Sequence, residues 1–458
     1  MADRAEMEKG VDMRKGLLAF FAFALIGYLP ANAQDQGAAI SPALVAPAKA
    51  FVDLLVKKDF SMAESYFDDA MKTALPLEKL AETWHSLIAQ AGSFKRQVGT
   101  RIAERSGSNV VIVTCEFEKA AVDVQVAFGP AKRIVGLFFS PTQSVTEYRP
   151  PNYVKPNTFR EKEVTVGTGE WALAGTLTLP VGQGLFPAVV LVHGSGPHDR
   201  DETVGPNKPF RDLAWGLASQ GIAVLRYEKR TKQHAAKLGS IGLRFTVKEE
   251  TIDDVLAAVA LLRQSEWINA KRIFVLGHSL GGMLIPRIGT RDPQIAGFIV
   301  LAGATKPLEE AILEQTTYVF SLDGTMSKAE QTQLEELKKQ VARVKNLQPS
   351  DVNSSLLLFG APASYWLDLR GYDPPEAAKA LKQRMVILQG ERDYQVTMDE
   401  FQRWQAALSS HQNVTFKSYP KLNHLFMEGN GKSQPAEYDV PSHVAETVIH
   451  DIADWIKK

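Results

Sequence analysis

Three rhythms of apolar residues run along this chain, and each predicts a different kind of element. Residues 16–29 are apolar almost without a break. From residue 51 the apolar positions fall at helical intervals: Phe51, Leu54 and Leu55, then Phe60, Ala63, Tyr66 and Phe67. A second helix is predicted over 77–91. The rhythm then shortens to alternation near 97–104, 109–118, 121–128 and 132–139. That predicts four strands, because successive side chains on a strand point to opposite faces. Helices first and strands afterwards read as a small α+β domain over residues 41–140.

Beyond residue 159 the order changes. Two alternating strands, 163–166 and 171–179, come first. Apolar runs at 188–192, 222–227, 272–276 and 297–301 then share the chain with helical patterns at 210–220 and 251–263. Strands that read as continuous apolar runs are buried on both faces, so a parallel sheet covered by helices is predicted. Between about 306 and 380 the alternation stops. Amphipathic helical segments such as 328–345 fill the gap, with Tyr365, Trp366 and Tyr372. The sheet resumes at 385–389 and 414–419, and a helix at 444–457 closes the chain. The interruption is expected to be a cap over the C-terminal edge of the sheet. Residues 141–158 hold several prolines and few periodic apolar positions, which predicts a linker.

The apolar run at 16–29 is of another kind. Arg14 and Lys15 precede it, Pro30 ends it, and Ala31-Asn32-Ala33 follows. A basic start, an apolar stretch too short to span a bilayer comfortably and a small-x-small tripeptide make an export leader. Residues 1–33 are therefore expected to be a signal peptide cleaved before Gln34, leaving no stable membrane anchor and a periplasmic or secreted protein. Met13 is an alternative start. Hydrophobic residues make up 45% of the 458 positions, charged ones 23%, and the formal net charge is zero. Such a chain has no long-range attraction for nucleic acid or an anionic membrane. The single cysteine, Cys115, permits no intramolecular disulfide, and its alternating apolar surroundings predict a packed strand residue. No His and Cys cluster has metal-ligand spacing.

The sharpest chemical signal is Gly277-His278-Ser279-Leu280-Gly281-Gly282, between an apolar strand and a helical pattern. A serine hydroxyl becomes a good nucleophile when a tight turn projects it, a histidine takes its proton and backbone N–H groups receive the charge it generates. The outer glycines suit such a turn, where a side chain would strike the neighbouring strand or helix. In a serine hydrolase built on an α/β sheet the acid and then the base follow the nucleophile in the chain. After the strand at 385–389 comes Gly390-Glu391-Arg392-Asp393. Either carboxylate fits; Asp393 lies deeper in the loop and is the expected acid. After the strand at 414–419 comes His424, the expected base. His193-Gly194-Ser195-Gly196 follows the strand at 188–192, and the N–H groups of Ser195 and Leu280 are the expected oxyanion hole. His193 is expected to brace its loop. Pro286 falls inside the helix that Ser279 begins, which predicts a kink or an early end there. Tyr365 and Trp366 are candidates for the substrate pocket.

Residues 160–458 resemble the bacterial α/β-hydrolase carboxylesterases of the dienelactone-hydrolase-like group. The resemblance is carried by His193-Gly-Ser-Gly-Pro-His-Asp-Arg-Asp201, Asn207-Lys-Pro-Phe210, Leu225-Arg-Tyr227 with Lys229-Arg230, the 277–282 segment, Leu388-Gln-Gly390 with Arg392-Asp-Tyr-Gln-Val396, and Leu422-Asn-His424. The family's nucleophile, acid and base fall on Ser279, Asp393 and His424. True dienelactone hydrolases carry cysteine as nucleophile, so serine here disfavours that substrate. The resemblance implies ester hydrolysis with no metal and no organic cofactor. The first domain is similar to the small nuclear-transport-factor and cystatin-like modules that precede some bacterial hydrolases. The expected whole is an α/β-hydrolase fold over 159–458 with a helical cap at about 306–380, preceded by the α+β domain: an exported serine esterase acting on small-molecule esters. A peptidase or acyltransferase on the same three residues is the alternative, and a cell-envelope binding protein with a vestigial hydrolase is the alternative outside enzymes.

Overall fold

The structure, a computed structural model, describes residues 42–105, 108–129, 131–142, 148–240, 244–354 and 356–458. The expected leader lies outside the described residues. The chain divides into two compact units, Met1–Ser144 and Val145–Lys458.

In the first unit the helix Val45–Val56 buries Ala48, Phe51, Val52 and Leu55. Two short helices, Phe60–Glu64 and Asp69–Ala74, start at Asp59 and Asp68, whose carboxylates accept the N–H groups of Met62 and Met71. Those caps satisfy donors that the first turn of a helix leaves free. The helix Leu77–Ala91 ends at Gly92, whose φ of 81° suits glycine. Strands β1 (Phe94–Arg105), β2 (Ser108–Phe117), β3 (Ala121–Phe128) and β4 (Ile134–Pro141) pair antiparallel in chain order. One face of this sheet, with Val111, Val113, Phe117, Val124 and Phe128, packs on Phe51, Phe67 and Trp84. Cys115 is fully buried in that core, and burial, reinforced by Asp123, pushes its thiol up to about 12.

The second unit is built on eight strands: β5 (Phe159–Val166), β6 (Leu173–Pro180), β7 (Phe186–Val192), β8 (Ala223–Tyr227), β9 (Ile268–His278), β10 (Gly297–Leu301), β11 (Arg384–Gly390) and β12 (Val414–Tyr419). Their order across the sheet is β12-β11-β10-β9-β7-β8-β6-β5. The strands from β8 to β12 run parallel, and the β5–β6 hairpin joins antiparallel at the β8 edge. The central runs Ala188–Val192, Ile273–Leu276, Phe298–Leu301 and Met385–Leu388 are apolar and buried because both faces are covered, whereas the edge strand β12 alternates between apolar and polar residues. Register fixes where the chemistry can lie. His278 at the end of β9 pairs with Leu301, Leu301 pairs with Leu388 of β11, and Val192 of β7 pairs with Gly277. The loops that follow these strands therefore leave the sheet side by side.

Between β10 and β11 the chain is helical, with Leu308–Phe320, Lys328–Asn346, Ala363–Leu369 and Pro374–Ala378. Ser327 and Glu330 form a reciprocal cap at the start of the second of these.

Two expectations are narrowed by the structure. Residues 148–158 of the expected linker are bonded to the rest of the second unit. The Tyr148 hydroxyl donates to Asp212 at 2.5 Å, the Tyr153 hydroxyl to the Val444 carbonyl at 2.8 Å, and the Lys155 N–H to Ser219 Oγ at 2.8 Å. Tyrosines in a proline-rich stretch bring apolar rings with a polar tip, and here they dock on the second unit. Of the two outcomes expected at Pro286, a kink or an early end, the early end does not occur. The helix after Ser279 runs Leu280–Arg291 through Pro286. The Tyr372 hydroxyl donates to the Met283 carbonyl at 2.9 Å, and Thr290 Oγ1 donates to the Pro286 carbonyl at 2.5 Å, so side chains satisfy acceptors around the proline.

Candidate active site

Ser279 stands between the last residue of β9 and the first of the helix Leu280–Arg291, with φ 54° and ψ −114°. That conformation is strained for a side chain larger than hydrogen. Two hydrogen bonds hold it. The Ser279 N–H donates to the Leu301 carbonyl, and the Met283 N–H donates to the Ser279 carbonyl, both at 2.9 Å. The flanking glycines are required by space. A Cβ on Gly277 would lie 2.4 Å from the Gly281 carbonyl, and one on Gly281 would lie 2.4 Å from the Val192 carbonyl oxygen. Glu202, Ala302 and Phe426 also have positive φ, so strained backbone gathers at the ends of these strands.

The loop after β11 supplies Asp393. Its Oδ1 accepts the N–H groups of Gln395 at 2.7 Å and Val396 at 3.0 Å. Its Oδ2 accepts Gln389 Nε2 at 3.2 Å and the Nδ1–H of His424 at 2.7 Å. Glu391 goes elsewhere: it is exposed and accepts the Ser418 hydroxyl. Of the two carboxylates that the sequence left open, Asp393 is the one brought to His424. Both members of the pair are buried. Among the described residues neither the Ser279 hydroxyl nor His424 Nε2 has a hydrogen-bond partner, which leaves one for a substrate carbonyl and the other for a proton.

Gly194 lies against the nucleophile, since a Cβ on it would stand 3.2 Å from the Ser279 Cβ. The next residue is Ser195. Its backbone N–H and that of Leu280, the first residue of its helix, have no acceptor among the described residues. Free N–H groups beside a strained serine suit a developing oxyanion.

Residues 186–431 match the family model described as serine aminopeptidase, S33. An esterase, EstD, of Thermotoga maritima is 39% identical over 443 residues, which is 96% of this chain and 100% of that one. The chain belongs to the serine aminopeptidase S33 family of α/β-hydrolases. Residues 48–137 match a second family model, described as a protein of unknown function (DUF3887). Among solved structures, an esterase of Pyrococcus furiosus is 16% identical with a TM-score of 0.42, over 69% of this chain and 96% of that one. A dienelactone hydrolase of Anabaena variabilis is 17% identical with a TM-score of 0.39, over 66% and 98%.

The sequence reading of this hydrolase missed a set of buried charged residues around the site. Glu202 Oε1 accepts the Gly194 N–H at 2.6 Å, and Oε2 lies 3.0 Å from His278 Nδ1. His278 Nε2–H donates to the His424 carbonyl at 3.0 Å, and the two imidazoles are 4.6 Å apart between ring centres. Burial works to raise the Glu202 carboxyl, but the imidazoles of His278, His198 and His193 hold it down at about 2. Burial works to lower His278, and the Glu202 carboxylate outweighs it and holds the imidazole above its ordinary value. His278 is thus held toward its charged form, with Nδ1 facing the Glu202 carboxylate and Nε2–H on the His424 carbonyl. It ties the oxyanion loop, the nucleophile turn and the base loop together. His193 stays neutral because burial pushes it down to about 3, and its Nε2–H donates to the Asp199 carbonyl at 3.0 Å. Farther along the same loop, Asp201 is buried between Arg226, Arg211 and Lys208. The segments 193–201 and 207–210, read from sequence only as points of resemblance, contain buried anchors in Asp201 and Asn207.

Tyr365 and Trp366 do not show the features of pocket-lining residues. They are 6% and 3% exposed, the Tyr365 hydroxyl donates to Glu250 at 2.8 Å, and the Trp366 indole N–H donates to the Leu358 carbonyl at 2.9 Å. Their polar atoms are satisfied inside the protein, which is how packed aromatics behave.

Proposed function

We propose that this protein is an exported serine esterase acting on small, uncharged carboxylic esters through an acyl-enzyme. The observation that carries the reading is the pair His424–Asp393 at 2.7 Å, next to the turn that presents Ser279. The 39% identity to an esterase over nearly the whole chain supports the ester class.

In this mechanism Ser279 Oγ attacks the ester carbonyl carbon while His424 Nε2 takes the hydroxyl proton. Asp393 holds the Nδ1–H tautomer, which leaves Nε2 unprotonated in the resting enzyme, and stabilises the imidazolium that forms. The carbonyl oxygen becomes an oxyanion held by the N–H groups of Ser195 and Leu280. As the tetrahedral intermediate collapses, the C–O bond to the alcohol breaks and His424 gives its proton to that oxygen. Water then attacks the acyl-serine by the same route, with His424 again the base, and the acid leaves. Export rests on the leader-like residues 1–33. The family description favours a second reading, cleavage of an N-terminal amino-acid amide. A panel of p-nitrophenyl esters of increasing chain length, sugar acetates and aminoacyl-p-nitroanilides tests both readings. Ester turnover that exceeds anilide turnover by orders of magnitude is expected; the reverse ranking would make the protein a peptidase.

A further inference from the structure

Gly194 is held from both sides by buried charges. Its N–H goes to Glu202. Its carbonyl oxygen accepts Lys229 Nζ at 2.7 Å. Lys229 is 2% exposed, and the same Nζ lies 2.7 Å from Glu250 Oε1. Glu250, 5% exposed, accepts the Tyr365 hydroxyl on its other oxygen at 2.8 Å. Tyr365 belongs to the helical insertion between β10 and β11. The backbone N–H of Lys229 also donates to the His198 carbonyl at 3.1 Å, so one lysine grips the loop at two points.

The carbonyl that Lys229 holds has a consequence for catalysis. It belongs to the Gly194–Ser195 peptide, whose N–H is the Ser195 donor. A trans peptide is planar, with its C=O and N–H pointing in opposite directions. Fixing the oxygen therefore fixes the direction of the N–H. A cation on the oxygen also polarises the peptide, and hydrogen bonds in such a chain strengthen one another in a low-dielectric interior. A buried lysine is costly unless paired. Glu250 supplies the pair, and Tyr365 sets the orientation of Glu250.

We infer that Lys229 is a positioning residue for ester hydrolysis: it aims and polarises the Ser195 N–H of the oxyanion hole, and Glu250 and Tyr365 carry that setting from the helical insertion. This inference rests on the esterase reading above. The substrate feature it serves is the ester carbonyl as it becomes tetrahedral, so the loss on mutation falls on the transition state and not on ground-state binding.

The test uses the full chain and four variants. Fluorophosphonate labelling of the wild type, absent in Ser279→Ala, tests the underlying reading; an unlabelled wild type would sink that reading and this inference with it. Lys229→Met removes the charge, and Lys229→Met/Glu250→Gln removes it without stranding a carboxylate. For folded variants, kcat is expected to fall about 10- to 100-fold, less than the roughly 100- to 1000-fold loss seen when one oxyanion donor is deleted outright. Affinity for an aryl trifluoromethyl ketone, which binds serine as an oxyanion-bearing adduct, should fall by a similar factor while KM changes less than about 3-fold. Tyr365→Phe, the mildest change, should weaken the ketone by about 2- to 5-fold with KM unaltered, and it decides the matter if both lysine variants fail to fold. A labelled, folded double variant with kcat and ketone affinity at the wild-type level overturns the inference. So does an equal loss of ketone affinity and substrate binding, which would mark Lys229 as structural only.

Discussion

Two buried carboxylate–imidazole pairs lie side by side in this hydrolase, and they do opposite things. Asp393 meets His424 at 2.7 Å, and Glu202 meets His278 at 3.0 Å. Composition and burial do not separate them. The free nitrogen does. His424 presents Nδ1 to its carboxylate and keeps Nε2 open, so it can accept a proton and return it. His278 has Nδ1 at Glu202 and Nε2 on the His424 carbonyl, so it has nothing left to exchange. A histidine becomes a base or a strut according to whether its second nitrogen is used, and the strut here holds the base.

The contrast breaks most visibly if the two histidines are exchanged in effect. Ser279→Ala and His424→Ala should each lower kcat by about a million-fold, as in a triad that acts as a unit. His278→Gln retains an N–H that can reach the His424 carbonyl and should cost only about 10- to 100-fold. Steady-state rates with one activated ester rank them, and a His278→Gln loss as deep as that of His424→Ala would mean that His278 takes part in the chemistry.

The carboxylates sharpen the same point. Asp393→Asn should lower kcat by about 10⁴-fold, because an amide donates where the Nδ1–H needs an acceptor and so favours the wrong tautomer. Glu391→Gln should leave kcat within about 2-fold, since Glu391 is exposed and bonded to Ser418. An inverted order in the same rate assay would move the acid to Glu391.

The pairing of Asp393 with His424, and its place beside the turn of Ser279, was legible because each residue follows a strand, and a parallel sheet brings its strand ends together whatever the separation in sequence. The fold was legible for the same reason: short apolar runs in β7, β10 and β11, alternating with helical patterns, mark strands covered on both faces. Glu202, Lys229 and Glu250 were not legible. Their partners lie 8 to 115 residues away, and a charged residue in a polar stretch carries no periodic mark of its burial. The tyrosines at 148 and 153 were hidden by the prolines around them. Tyr365 and Trp366 were ambiguous in sequence because a buried aromatic and a pocket aromatic have the same pattern.

That last ambiguity gives a smaller test. Trp366 packs on Phe359 and Tyr365 at ring separations of 5.5 and 5.8 Å. Trp366→Ala should destabilise the protein by about 3–5 kcal/mol through the cavity it leaves. The acyl-length profile of the folded variant should match the wild type. Thermal melts and an ester series on the same sample read both, and a shifted acyl preference would return Trp366 to the substrate pocket.

The smallest effect concerns the strut, and pH is the variable that isolates it. Glu202 titrates at about 2 in the fold against an ordinary 4.5, so its contribution to stability is present above 4.5 and is lost as pH falls through about 2. His278 is held above an ordinary 6.5, so its contribution is complete below 6.5 and is lost as pH rises through the raised folded value. The two limits bracket a window between 4.5 and 6.5 in which the pair stabilises fully. Other titratable groups face it: His198 and His193, both pushed toward the neutral form by burial, lie near Glu202, and Asp393 lies near His278, and all of them remain in place when Glu202 is changed. Glu202→Gln keeps the shape and the acceptor for the Gly194 N–H but removes the charge. The melting-temperature gap between wild type and Glu202→Gln should be widest inside that window, corresponding to about 1–3 kcal/mol, and should narrow as pH rises above 6.5, where His278 of the unfolded chain gives up its proton before the folded one does. A gap that stays constant from pH 5 to 9 would mean that the pair is not ionic, and the distinction between a base with a free nitrogen and a charged strut beside it would then rest on geometry alone.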